Sequence, residues 1–179
     1  VLKQEANVTL EKIDYLKKVL RGKYGWELWA KVYRRELFDE PMYIPCHLRI
    51  GEDATVYMQL VARSCKVKII NEALYNYIQY PSSASHQRSV TLAEETLQAA
   101  FYIDHLLKKE SFYQEIRDEI DAMYLLFYSN STRKAFLRLN HPLIYQVYQE
   151  HYSLRALKIL PLFKSIYISL SLLLRKTLS

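Results

Sequence analysis

The chain has 179 residues, of which 50% are hydrophobic and 25% are charged, and its formal net charge at pH 7 is +6. A chain of this length buries roughly 70% of its unfolded surface, so it can form a core without a metal or a disulfide. The composition is that of an ordinary globular protein and excludes global disorder. Only three glycines and five prolines occur. Few glycines leave few tight turns, and we predict a mainly α fold with a small β element.

Helical spacing dominates the first forty residues. Thr9 is predicted to cap a first helix that ends at Gly22. The apolar face of this helix is Leu10, Ile13, Leu16 and Leu20. A second helix is predicted before Pro41, because proline cannot continue a helix. Its apolar face is Trp29, Val32, Tyr33 and Leu37.

The next segment mixes one helix with two extended runs. Glu52 and Asp53 precede or begin a short helix, where the helix dipole favours carboxylates. Residues 66–70 alternate as a strand does, and residues 74–80 form a second β-like run rich in tyrosine. A two-stranded sheet is only marginally stable by itself, so we expect these runs to pack against the surrounding helices.

From residue 87 onward the pattern is helical only. Capping boxes at Thr91 with Glu94 and at Ser111 with Gln114 predict two helix starts. The second precedes an apolar stripe of Phe112, Ile116, Ile120, Met123, Tyr124 and Phe127. Breaks are predicted near residues 129–131, at Pro142 and at Pro161. We therefore divide the chain into a mixed segment, 1–86, and an all-helical extension, 87–179.

The positive charge is concentrated in the tail. Residues 129–179 contain eight Lys or Arg residues and one acid, a net charge of +7, so residues 1–128 are close to neutral. A basic tail without a recognition motif does not support a nucleic acid partner. Residues 159–179 are predicted to form an amphipathic helix that is either buried or lies on a membrane surface. Its apolar positions are Leu160, Phe163, Ile166, Tyr167, Leu170, Leu173 and Leu174.

Cysteine usage and the first residues bear on the compartment. Cys46 and Cys65 form no CxxC pair, which is typical of free thiols in a reducing compartment. The first six residues lack the basic and apolar segments of a signal peptide, and the start at Val1 indicates a piece of a longer protein. We expect a cytoplasmic location, with peripheral contact to the inner face of the cytoplasmic membrane as an addition through the tail helix.

Three short motifs occur in order along the first half of the chain. They are WAKVYRREL at 29–37, GED at 51–53 and NEALYNY at 71–77, followed by SSAS at 82–85. Together they resemble the second, acceptor-side half of the catalytic domain in bacterial family 2 glycosyltransferases of the GT-A type. The resemblance covers roughly residues 26–85, about a third of the chain. It implies the C-terminal part of an α/β glycosyltransferase domain followed by the helical extension.

The resemblance implies an inverting transfer of a sugar from a nucleotide diphosphate donor to a hydroxyl of a cell-surface polysaccharide or lipid-linked acceptor. It places the catalytic carboxylate at Asp53, with Glu52 beside it. A hydroxyl is a poor nucleophile until a positioned base accepts its proton. The alternative is structural, because carboxylates at this place often cap the helix that follows.

Further positions carry substrate-binding roles by the same resemblance. Trp29, Lys31 and Arg34 lie in the first motif, which has alanine at position 30 where a glycine is common in the family. Trp29 is equally consistent with a core position, and the two cations with a solvated face. Tyr75 and Tyr77 could stack on a sugar ring or pack against the protein.

The resemblance also implies a divalent metal, manganese or magnesium, in the full-length parent. His86 stands where some GT-A enzymes use a histidine to complete the metal site, although an isolated histidine more often has another role. The chain has no Asp-x-Asp motif and no phosphate-cradling glycine loop. We therefore expect it to hold no cofactor and to be inactive by itself, with the nucleotide-sugar donor bound only in the parent.

One other class of function and one further partner remain open from the sequence. The class is a non-catalytic helical module for interaction or membrane association, which the tail favours. A second copy of the chain is a further expected partner, because exposed helices can pair in a homo-oligomer.

Overall fold

The computed structural model describes residues 7–78, 80, 89–134 and 141–176, and for residues 133, 134 and 172–176 only the backbone is described. Over these residues the fold is mainly α with one two-stranded antiparallel sheet, as predicted. The helices are α1 (Lys12–Leu20), α2 (Glu52–Arg63), α3 (Val90–Leu107), α4 (Arg117–Lys134), α5 (Pro142–His151), α6 (Leu154–Ile159) and α7 (Leu162–Lys176). The strands are β1 (Thr9–Glu11) and β2 (Lys66–Lys68), and 3₁₀ turns span Arg35–Phe38 and Tyr113–Ile116.

The sheet joins two segments that are far apart in the chain. β1 pairs antiparallel with β2, and Leu10 lies opposite Val67. The predicted strand at 66–70 is confirmed, but the predicted run at 74–80 is wrong, since residues 74–78 and 80 form no strand. The prediction that Thr9 caps the first helix is also wrong. Thr9 belongs to β1, because residues 8–11 pair with β2 and the residues beside it. Glu11 occupies the N-cap position of α1 and makes no side-chain capping hydrogen bond.

The predicted second helix over residues 29–37 does not form. Only the 3₁₀ turn Arg35–Phe38 is present, and Val32 is fully exposed rather than on a buried face. The physical reason lies at Ala30, whose φ of +58° is left-handed. A right-handed helix cannot pass through such a residue.

We predict that Ala30→Gly stabilises the protein. Alanine in the left-handed region costs about 1–2 kcal/mol, which glycine does not incur, whereas the added freedom of the unfolded chain costs about 0.4–1 kcal/mol. The free energy of unfolding should rise by about 0.5–1 kcal/mol in urea denaturation. Ala73→Gly is the matched control, because Ala73 is exposed and irregular but has no left-handed φ. That variant should lose about 0.4–1 kcal/mol; equal effects of the two substitutions would contradict the argument.

Side chains of α2 and α3 hold the long loop between Phe38 and Gly51. Gln59 accepts from the backbone N–H of Tyr43 and donates to its carbonyl, at 3.0 and 2.8 Å. The guanidinium of Arg63 donates to three loop carbonyls at 2.8–3.0 Å. Those carbonyls belong to Leu37, Glu40 and Pro41. This loop forms no strand hydrogen bonds, so the side chains of Gln59 and Arg63 supply hydrogen-bond partners for its backbone polar groups.

Glu95 of α3 completes this support close to α2. Its carboxylate accepts from the backbone N–H of Arg49 at 2.9 Å and from the Arg49 guanidinium at 3.0 and 3.1 Å. Burial alone would raise the pKa of Glu95, but the hydrogen bonds from Arg49 outweigh burial and hold that pKa below its usual value. The carboxylate therefore stays ionised and fixes the residues that lead into α2.

The helical extension follows the predicted pattern with three corrections. Ser111 caps no helix, because the 3₁₀ turn Tyr113–Ile116 follows Phe112 without a side-chain capping hydrogen bond and α4 begins only at Arg117. α3 is capped by Ser89, whose Oγ accepts from the N–H of Leu92 at 3.1 Å, and not by Thr91. α4 continues through the break predicted at 129–131, because the hydroxyl of Ser131 finds a partner in the carbonyl of Ala93 on α3. Pro142 begins α5, and Pro161 separates α6 from α7 as predicted.

The core is continuous from Leu16 in α1 to Ile168 in α7. α4 lies at its centre, and the whole predicted stripe from Phe112 to Phe127 is buried. Packed helices in this core join the two segments that the sequence divides at residue 87, and the division into an acceptor-side part and a helical extension stays a prediction. Among the described helices, none has both the length and the apolar character needed to cross a bilayer.

Candidate functional site: the start of α2 and the aromatic stack

The two carboxylates of the GED motif occupy the first turn of α2. Gly51 precedes them as the N-cap with a left-handed φ of +100°, and no side chain caps the helix by a hydrogen bond. Glu52 and Asp53 are thus the first two helical residues, where the dipole of the helix favours negative charge. Their place in the helix does not come from capping hydrogen bonds.

The environments of the two carboxylates differ. Burial raises the pKa of Glu52, and the charges of Asp53 and Glu95 raise it further, against a hydrogen bond from its own backbone. Its Oε2 is buried and has no hydrogen-bond partner in the described part of the chain. Asp53 is partly exposed. Glu52 is also partly exposed as a whole residue, so what distinguishes the pair is the buried, unpartnered Oε2 of Glu52.

Lys31 and Tyr33 share the neighbourhood of Asp53. Burial lowers the pKa of Lys31, while the charges of Glu27 and Asp53 act in the opposite direction. The Lys31 ammonium donates to the carbonyl of Glu27 at 2.6 Å, contacts the Glu27 carboxylate at 3.4 Å and lies 4.7 Å from the centre of the Tyr57 ring. Burial likewise raises the pKa of Tyr33, with further contributions from Tyr15 and Asp53. Asp53 is therefore close enough to Lys31 and to Tyr33 for its charge to influence the pKa of each.

The structure brings the three predicted aromatic residues into one stack. The indole of Trp29 stacks on Tyr77, with ring centres 4.5 Å apart and planes 9° from parallel. It also stacks on Tyr75 at 5.4 Å and 19°. All three rings remain 38–50% exposed. The alternative of a core position for Trp29 is wrong, because the left-handed Ala30 turns the chain and leaves the indole outside the core.

The remaining predicted residues are not brought into this group. Arg34 is exposed just before the 3₁₀ turn, and within the described part of the chain its guanidinium makes no hydrogen bond or ion pair, whereas its backbone carbonyl accepts from the N–H of Leu37 at 3.2 Å. His86 lies outside the described residues. The residues that the structure describes contain no group of three or more His, Cys, Asp and Glu side chains that could hold a metal ion. They do not fit the metal that the resemblance implies, and we derive no step through it.

Several residues that support the site were not found from the sequence. Tyr15 and Tyr57 join their hydroxyl groups beneath Lys31, although 42 positions separate them. Glu27 and Lys31 are four residues apart, a spacing that flags an ion pair only in a helix, and this segment is irregular. No local pattern could reveal the other contacts, because Gln59 and Glu95 act on residues far along the chain.

Comparison with known proteins gives a limited result. The chain is 29% identical over 101 residues to an uncharacterized glycosyltransferase, EpsJ, of Bacillus subtilis. The match covers 54% of this chain and 29% of the length of that relative. No family model matches the chain, and no solved structure matches it significantly. The similarity indicates a relationship to glycosyltransferases and leaves the donor, the acceptor and the stereochemistry to be proposed.

Proposed function

We propose that this chain supplies the acceptor-side half of an inverting, family 2-like glycosyltransferase of the GT-A type. Its acceptor is a hydroxyl of a cell-surface polysaccharide or a lipid-linked saccharide, and its place of action is the cytoplasmic side of the envelope. The observation that carries the proposal is the position of Asp53 in the first turn of α2, beside Lys31 and Tyr33. The similarity to a glycosyltransferase supports the same class.

In the proposed reaction, Asp53 accepts the proton of the acceptor hydroxyl. The hydroxyl oxygen then forms a bond to the anomeric carbon, and the bond from that carbon to the nucleoside diphosphate breaks, so that the diphosphate leaves with the electron pair. Asp53 lies in the first turn of α2, where the helix dipole favours a negatively charged side chain. Glu52 keeps a raised pKa and has the supporting role of filling the inner side of the turn.

The stack of Trp29, Tyr75 and Tyr77 is the proposed platform for the acceptor sugar. The C–H face of a pyranose ring is apolar, and exposed aromatic rings offer it a flat surface of matching size. Lys31 is engaged by Glu27 and by the ring of Tyr57, so its proposed role is to hold the site in shape and to set the charge near Asp53. Arg34 remains available at the rim to contact donor phosphates or an acidic acceptor.

We predict that acceptor saccharides change the fluorescence of Trp29. The chain has two tryptophans, and Trp26 packs against Phe127 with ring centres 4.4 Å apart. In a Trp26→Phe background, a saccharide that stacks on the platform should shift the emission of Trp29 and saturate. Tyr75→Leu should weaken this binding about 3–10-fold, because one aromatic stacking contact is worth about 0.5–1.5 kcal/mol.

Tyr145→Leu in the same background is the control, since Tyr145 is an aromatic of α5 with similar exposure. It should leave the binding curve unchanged. The panel should contain neutral and acidic oligosaccharides and, as a separate arm, a short-chain lipid-linked saccharide. If no member of the panel gives a saturating signal, the platform does not bind an acceptor, and a non-catalytic module becomes the better description.

A further inference from the structure

α6 and α7 carry a set of exposed apolar side chains. We define the α6–α7 strip as Leu154, Leu162, Phe163, Ile166 and Leu170, which are 50–76% exposed. Successive positions 163, 166 and 170 follow the helical repeat, so their side chains project from one face of α7. The sequence-based assignment of this face included Leu160 and Tyr167, but Leu160 is buried and Tyr167 is only partly exposed.

The opposite face of α7 is already packed against the protein. Ile168 is fully buried, and the hydroxyl of Ser171 hydrogen-bonds to that of Tyr128 in α4 at 2.8 Å. The hydroxyl of Tyr167 donates to Thr132 of α4 at 3.0 Å. α7 is therefore held in place by its opposite face, and the strip stays exposed among the described residues.

The basic residues around the strip indicate what kind of surface would bind it. Residues 151–179 contain five Lys or Arg residues and no Asp or Glu. Two of these cations, Arg155 and Lys158, are exposed on α6 next to the strip. A second copy of the chain, paired through the same face, would bring these cations against their own counterparts. An anionic lipid surface instead offers an apolar layer beneath a negative one, and it matches both features.

We propose that the α6–α7 strip docks on an anionic lipid surface, with α7 lying in the plane of the interface. The 15 residues of α7 are shorter than the roughly 20 that span a bilayer, so the helix lies along the surface and inserts Phe163 and Ile166 between acyl chains. Arg155 and Lys158 contact the lipid phosphates. This docking is independent of the proposed chemistry at Asp53.

The test is flotation of the protein with vesicles of phosphatidylcholine alone or with one third phosphatidylglycerol. The protein should float with the anionic vesicles and bind the neutral ones at least about tenfold more weakly. High salt should release it, because screening shortens the reach of the basic residues. Phe163→Ser with Ile166→Ser should weaken binding about 10–100-fold, since two large apolar side chains lose their burial.

Matched variants separate the strip from general effects. Val32→Ser with Leu74→Ser removes two exposed apolar side chains elsewhere, and it should leave flotation unchanged. Arg155→Glu with Lys158→Glu should abolish the preference for anionic vesicles, whereas Lys23→Glu with Lys68→Glu makes the same charge change at exposed positions outside the strip and should keep it. Equal flotation of wild type and the Phe163 and Ile166 variant would overturn the proposal. So would a dimer in lipid-free solution that this variant dissociates.

Discussion

Gly51→Ala should lower the free energy of unfolding by about 2–5 kcal/mol. A Cβ at this position would lie 2.3 Å from the Cβ of Ala99, which real structures do not allow, and α2 or α3 would have to shift. Overpacking of this kind costs about 1–3 kcal/mol. The φ of Gly51 is +100°, a left-handed conformation that adds about 1–2 kcal/mol for any residue with a Cβ. Urea denaturation of wild type and variant measures the sum.

Gly22→Ala is the natural control, because Gly22 also has a positive φ but its added Cβ would meet only the flexible end of Leu126 at 3.1 Å. Gly22→Ala should lower the free energy of unfolding by about 1–2 kcal/mol, which is the cost of the left-handed backbone conformation without any overpacking. In a Gly51→Ala background, Ala99→Gly should restore part of the lost stability by removing the clash, although glycine within α3 costs about 1 kcal/mol. Equal losses for Gly51→Ala and Gly22→Ala would show that α2 and α3 do not meet closely here.

The contact between Gly51 and Ala99 explains why the motif begins with glycine. The carboxylates of the site lie at the start of α2, which packs closely against α3. Glu95 of α3 fixes the loop that leads into α2. α3 belongs to the helical extension rather than to residues 26–85, whose motifs carry the resemblance in the sequence. The extension is therefore part of what positions Asp53.

Elements with a strong local pattern were predictable from the sequence. The stripe from Ile116 to Phe127 repeats at three and four residues, and all of it is buried in α4 and the turn before it. α2 was predictable because acidic residues precede an apolar face. Pro142 and Pro161 mark helix boundaries for a covalent reason, namely that proline lacks an N–H.

The rest depends on contacts that no local window contains. β1 is a strand only because Lys66–Lys68 lies beside it, more than fifty residues away in the chain. The helix predicted over residues 29–37 fails at Ala30, whose left-handed φ is unusual for a residue with a Cβ. Within the site, the resemblance singled out Trp29, Tyr75 and Tyr77 one by one, and only the fold shows that the three rings form one stack.

Asp53→Asn should reduce turnover by a factor of about 10²–10⁴ in the full-length parent that the resemblance implies, which is the usual cost of a lost general base. Asparagine preserves the size of the side chain and most of its hydrogen bonding, so the melting temperature should stay close to that of the parent. Initial rates of nucleoside diphosphate release and thermal melts are measured on the same preparations.

Asp14→Asn is the matched control, since Asp14 is an exposed acid in the first turn of α1. It removes one carboxylate from a helix N-terminus without touching the site, and turnover should be unchanged while the dipole interaction costs at most about 1 kcal/mol of stability. Loss of a general base raises the activation barrier of the transfer, whereas loss of a partner of the helix dipole slightly lowers the stability of the fold. The two variants should therefore differ in turnover and have similar melting temperatures. Turnover of Asp53→Asn within a few-fold of the parent would assign the carboxylate to the stability of α2 and end its role as the base.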